Sequence, residues 1–106
     1  MKTINVAKDF TRFPSGRFRK NGSTSGEGFR EDYLLPPLRA GEQIVIELDG
    51  TIGYGSSFLE EAFGGLVRAL QIQPTELKKL LYLKSDDPAL LDEVIGYVDD
   101  AGRSLR

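Results

Sequence analysis

The sequence predicts an α/β fold: a single domain over residues 1–106 with a mixed, mostly parallel sheet of about four strands and about three helices. Three observations predict it. Strand-like apolar runs alternate with amphipathic helical stretches, the helical stretches open on capping signals, and no linker, repeat or low-complexity tract divides the 106 residues. A chain of this length buries about 65% of its unfolded surface in one core, and 40% apolar content with a net charge of -2 suits that.

Residues 3–8 (TINVAK) alternate Ile4 and Val6 with polar neighbours, the pattern of a half-buried strand. Residues 17–20 (RFRK) alternate again after the Pro14–Gly16 turn and read as a short second strand, ended by the Asn21-Gly22 turn. Thr24 precedes Glu27 by three residues, a capping box, and Phe29, Tyr33, Leu34 and Leu38 follow at helical spacing. Pro36-Pro37 should kink or end that helix, because proline removes a backbone donor and displaces the residue before it from the α region.

Residues 43–48 (QIVIEL) are the clearest strand. A glycine-rich passage follows, then a second capping box, Ser57 with Glu60. Phe58, Leu59, Ala62, Phe63, Leu66, Val67 and Leu70 mark the apolar face of a helix ending near Gln71. Residues 80–83 form a short apolar strand between lysines. Asp87-Pro88 supplies an N-cap with Pro at the first helical position, and Leu90, Leu91, Val94, Ile95 and Val98 define a last helix closed by Gly102. The alternation implies right-handed crossovers and a partly parallel sheet, with room for the first strand to pair antiparallel at one edge.

Composition narrows the chemistry. With no Cys there are no disulfides, zinc–thiolate sites or thiol nucleophiles; with no His there is no imidazole base, serine triad or imidazole metal ligand. Asp49, Glu60, Glu61 and the serines are the only enzyme candidates. Adjacent carboxylates on a helix diverge by about 100°, so Glu60 and Glu61 do not converge on one substrate. The expectation is a non-enzymatic protein with no metal and no cofactor. No apolar run approaches the ~20 residues that span a bilayer and no signal-peptide pattern opens the sequence, so a cytoplasmic protein without membrane contact is expected.

Charge is unevenly placed. Residues 1–39 hold eight Lys/Arg against four Asp/Glu, and the remainder holds six against twelve. Within the basic part, Arg17, Arg19, Ser23, Thr24, Ser25, Gly26 and Arg30 surround a helix start, where hydroxyls, glycine amides and guanidiniums suit an oxyanion. It is not a P-loop, since the Gly-Lys-Ser/Thr ending is missing. Phe10, Phe13 and Phe18 among these bases suit either the core or stacking on single-stranded nucleic acid; the acidic total argues against nucleic acid.

The stretch IELDGTIGYGSSFLEEAFGGL (46–66) resembles STAS domains, the sulphate-transporter and anti-sigma-factor-antagonist fold. In those domains a strand ends in Leu-Asp-Leu-Ser, and Asp-Ser-Ser-Gly stands at a helix N-terminus. Gly55-Ser56-Ser57-Phe58 falls on the second motif without gaps, with Gly55 for the Asp and Phe58 for the Gly. Residues 15–38 with GSSFLEEAFGGLVR look more specifically like a bacterial STAS-like family of unknown function, whose members are often encoded beside histidine-kinase-like (GHKL) ATPases. The resemblance implies a STAS-like single domain and a regulatory protein–protein interaction module with such an ATPase or kinase as partner. It also implies Ser57 as the phosphorylation candidate, with Ser56 beside it.

Two roles stay open for these serines: a helix cap stabilising by ~1 kcal/mol, or a switch whose phosphate the helix amides would hold and Glu60 and Glu61 would repel. The candidate partner surface is Gly53, Tyr54, Gly55, Ser56, Ser57, Glu60 and Gly64. Gly64-Gly65 inside a helix costs about 1 kcal/mol per glycine relative to alanine. Gly65 is assigned to close packing on the sheet and Gly64 to a partner contact. The alternative function is a small anionic-ligand or nucleotide-binding domain using the 17–30 turn.

Overall fold

Alternate apolar positions give a buried face to three short strands, β1 (Lys2–Asn5), β2 (Ile44–Glu47) and β3 (Leu81–Lys84). In the computed structural model, which describes residues 1–105, they lie in that order and all are parallel. The register sets Ile4 beside Ile46 and Leu83, and Ile44 beside Leu81. Ile4, Ile44, Ile46 and Leu81 are buried, as is Leu48 just past β2. The other face carries the rows Thr3–Val45–Tyr82 and Asn5–Glu47–Lys84 and meets solvent at Thr3, Tyr82 and Lys84.

Helix α1 occupies residues 26–39, α2 residues 56–70, α3 Pro74–Leu77 and α4 Pro88–Gly102. Both α1 and α2 contain a π-helical turn, Arg30–Leu34 and Glu60–Gly64 respectively. There the Leu35 N–H reaches the Arg30 carbonyl and the Gly65 N–H reaches the Glu60 carbonyl, five residues back. Phe29, Leu34 and Leu38 of α1, Phe58, Phe63 and Leu66 of α2 and Val94 and Val98 of α4 close over the buried sheet face. Phe10 joins them, its ring centroid 5.1 Å from Phe29 and 5.3 Å from Tyr33.

The element order matches the predicted alternation, but the counts differ. Three strands are present among the described residues rather than about four, more helical segments than about three, and β1 is parallel rather than antiparallel. Residues 17–20 are not a strand: Arg19–Asn21 form a 3-10 turn, with the Phe18 N–H donating to the Asn21 side chain. Their alternation lacks a buried face, since Phe18 is 40% exposed. The flanking carbonyls are used instead on α1, where Gly16 and Arg17 accept from the first amides, Gly26 and Glu27.

β1 also ends early. The Asn5 side chain accepts from the Lys8 N–H and the Asp9 carboxylate accepts from the Asn5 N–H, which turns residues 6–10 into a π-helical turn. Pro36 and Pro37 do not end α1. They sit in the first turn of its closing α segment, Leu35–Arg39, where a helix tolerates proline because the first N–H groups need no partner within the segment. Asp87 caps α4 as read from the sequence, accepting from the Ala89 and Leu90 amides.

Ile46 lies at the middle of the central strand with no exposure. Ile46→Ala should destabilise by about 2–5 kcal/mol in urea unfolding; a loss under ~1 kcal/mol would mean the strand does not carry the core.

Candidate functional site: the turn after the central strand and the ion cluster beneath it

The passage 48–57 leaves the C-terminal end of β2 anchored at three points. Asp49 accepts from the Ser85 hydroxyl at 2.6 Å and the Asp86 N–H at 2.8 Å, which holds its carboxyl below the usual range and ties the passage to the end of β3. Tyr54 donates its hydroxyl to the Leu48 carbonyl at 2.6 Å, and burial pushes its pKa up to about 12. Its ring packs on Phe58. The Ile52 N–H donates to the Arg12 carbonyl at 2.9 Å, laying residues 11–17 alongside.

Gly53 adopts φ +154°, and nothing stands near its Cα or that of Gly55. Ser56 and Ser57 occupy the first two positions of α2, both exposed; Gly55 is the cap residue and no side chain caps the helix. The predicted Ser57–Glu60 capping box does not form, because Glu60 is drawn away by arginines. Ile52 (69% exposed) and Phe13 (59%) are bare apolar groups on the two adjoining strands of this surface loop pair.

Beneath the turn lies a cluster of charges. Arg30 Nη1 donates to Glu61 Oε2 at 2.6 Å and to the Glu61 backbone carbonyl at 2.7 Å, while its Nε donates to Glu31. That carbonyl is free because the π turn sends the Gly65 N–H to Glu60 instead. Arg30 and Glu61 are both buried. Arg17 donates to Glu60 at 2.6 Å and to Glu61 at 3.2 Å, and Arg68 donates to both oxygens of Glu60. The hydrogen bonds from Arg68, joined by Arg17, outweigh burial and keep the Glu60 carboxyl below its ordinary range.

The glycines follow from this. A Cβ on Gly65 would strike the pinned Arg30 guanidinium, and one on Gly26 would strike the Phe58 carbonyl of α2. Gly65 is therefore a packing glycine, though against the Arg30 side chain of α1 rather than on the sheet. Gly64 corrects the sequence reading: it is buried, and a side chain there would meet the Glu60 carboxylate and the Tyr97 carbonyl of α4.

In the basic turn, Arg19 forks onto both oxygens of Asp32 at 2.8 and 3.3 Å. Ser25, not Thr24, is the α1 cap, its Oγ accepting from the Gly28 N–H at 3.0 Å; Thr24 donates to the Ser15 carbonyl. Gly26 is buried against α2. Arg19, Ser23 and Ser25 do border one open pocket of about 450 Å³, with Asp32 on its rim. The three guanidiniums Arg17, Arg19 and Arg30 thus each hold carboxylates already.

A family model described as a STAS-like domain of unknown function (DUF4325) matches residues 25–90. The chain belongs to this family. No curated protein and no solved structure matches the chain. In this STAS-like domain Gly53, Gly55, Ser56 and Ser57 are exposed, Tyr54 and Glu60 are half-buried, and Gly64 is buried. Phe58, which stands where the STAS motif has glycine, fills the core with no exposure. Sequence reasoning missed Glu61 and Arg68 as parts of the ion cluster, although Gly64-Gly65 marked the place where a guanidinium passes. It also missed Ile52, and of the three phenylalanines only Phe10 is in the core cluster. No helix among the described residues is long and apolar enough to cross a membrane.

Two glycine substitutions separate packing from propensity. Gly96 in α4 has open space where a Cβ would go, so Gly96→Ala should stabilise by up to about 1 kcal/mol. Gly26→Ala meets backbone of α2 and should destabilise by about 1–3 kcal/mol. Thermal melts of both check this, and a stabilised Gly26→Ala would deny the close crossing of α1 and α2.

Proposed function

We propose that the chain is a non-enzymatic regulatory protein–protein interaction module of STAS type, docking a histidine-kinase-like ATPase or kinase through the Gly53–Ser57 turn. The observation that carries the reading is the exposed turn with Ile52 and Phe13 bare beside it. Apolar side chains next to open backbone and free hydroxyls are what a protein partner covers; the choice of an ATPase rests on the family resemblance. Glu60 and Glu61 are matched by arginines, which leaves them unsuited to acid–base work and supports a binding role.

Ser57 and Ser56 are the phosphoserine switch in this reading. Neither hydroxyl has a capping duty, so modification costs no cap. The repulsion from Glu60 is lessened by Arg17 and Arg68. The anionic-ligand alternative keeps the pocket beside Arg19, Ser23 and Ser25, but its guanidiniums are already engaged by carboxylates.

Because Ser57 is exposed and caps nothing, Ser57→Asp and Ile52→Asp should each leave stability within about ±0.5 kcal/mol. Their affinity for a histidine-kinase-like ATPase of the same host should fall at least tenfold, about 1.4 kcal/mol, while Ser57→Ala binds as wild type does. Melting curves and titration calorimetry on the three variants read this out. Wild-type affinity in both aspartate variants would place the interface elsewhere.

A further inference from the structure

The outer edge of β3 is unpaired and borders an apolar groove. The Ile44 N–H donates to the Leu80 carbonyl and the Leu48 N–H to the Lys84 carbonyl. With Ile44 beside Leu81 and Ile46 beside Leu83, this turns the backbone groups of Leu80, Tyr82 and Lys84 toward β2 and those of Leu81 and Leu83 outward. Two donors and two acceptors therefore face away from the sheet at the spacing one further strand needs. The groove beside them, about 230 Å³, is walled by Leu77, Leu81, Leu83, Leu91, Ile95 and Val98, with Ile95 38% exposed. The β1 edge differs: its outward Asn5 N–H is already taken by the Asp9 carboxylate.

The geometry points to a strand-docking slot beside β3 for an extended segment of a partner protein, apolar at alternate positions and acidic at both ends. The apolar alternation follows from the groove: every second side chain of an added strand would face Leu91, Ile95 and Val98. The acidic ends follow from charge. Lys79 and Lys84 bracket the edge with side chains 71% and 73% exposed; Lys79 holds only the exposed Glu76, and Lys84 stands 3.9 Å from Glu47. Lysines at an edge normally repel a strand that does not match them, so the slot selects one that brings carboxylates. A second copy is disfavoured as occupant, because its own α4 would have to share the groove that α4 already walls. The slot is a surface separate from the Gly53–Ser57 turn and does not rest on the function proposed for it.

The test is amide exchange by NMR on the full chain with a nine-residue synthetic peptide, valine at alternate positions and glutamate at both ends. In the free protein the Leu83 amide should exchange fast and those of Tyr82 and Lys84 slowly, with that of the buried Leu81 between them. Saturating peptide should slow Leu81 and Leu83 at least about tenfold, with a lysine-ended peptide binding at least about tenfold more weakly. Ile95→Asp, on the exposed wall, should abolish the protection without lowering the melting temperature. The proposal is overturned if the acid-ended peptide leaves both amides unchanged, or if they are already as slow as Tyr82 in the free monomer. It is equally overturned if sedimentation shows a dimer that protects them without peptide.

Discussion

The salt bridge between Arg30 and Glu61 is the constraint on which the remaining architecture turns. Taking a guanidinium and a carboxylate out of water costs several kcal/mol each, and only close geometry and further hydrogen bonds offset that. Here the π turn of α2 releases the Glu61 carbonyl, so one Arg30 nitrogen meets both the side chain and the backbone of the same residue. Gly65 leaves the space for it, and Gly26 lets α1 press against the α2 backbone. The bridge thus dictates two glycines, accounts for one π turn, and sets the crossing of the two helices.

From that crossing the surface follows. With α1 fixed, its first amides draw in the Gly16 and Arg17 carbonyls, and Arg17 is placed to reach Glu60 and Glu61. The loop so held runs beside the passage after β2, joined through the Ile52 amide. Phe13 and Ile52 stand exposed on the two segments that this bond holds together. Glu60 and Glu61 serve as counter-ions to arginines, Asp49 ties the passage to the end of β3, and Ser56 and Ser57 cap nothing.

Much of this was legible in the sequence where one-dimensional signals are strong. A period-two run located β1, a β-branched run β2 and a short apolar run β3; helical spacing located α1, α2 and α4, and Asp87-Pro88 fixed the start of α4. The strand-turn-serine passage located the STAS-like family. Legibility failed where a tertiary contact overrode a local one. Arg17 to Lys20 alternate like a strand but have no buried face; Ser57 and Glu60 are spaced as a capping box, but two arginines offer Glu60 a stronger partner. Pro36-Pro37 should kink or end a helix, but they fall in the first turn of a new α segment that follows a π turn. The pairing of Arg30 with Glu61, 31 residues away, leaves no periodic trace; its signature in the helix is Gly65, where the guanidinium passes.

A double-mutant cycle on that pair tests the account most directly. Arg30→Leu, Glu61→Leu and the double variant would be compared with wild type in urea unfolding. Each single change removes the closest partner of a buried charge, leaving Glu61 with Arg17 or Arg30 with Glu31, and should cost up to about 3–5 kcal/mol. The double variant should cost less than their sum by at least about 2 kcal/mol. Costs that add to within about 0.5 kcal/mol would show that the two side chains do not act together, and would contradict the account.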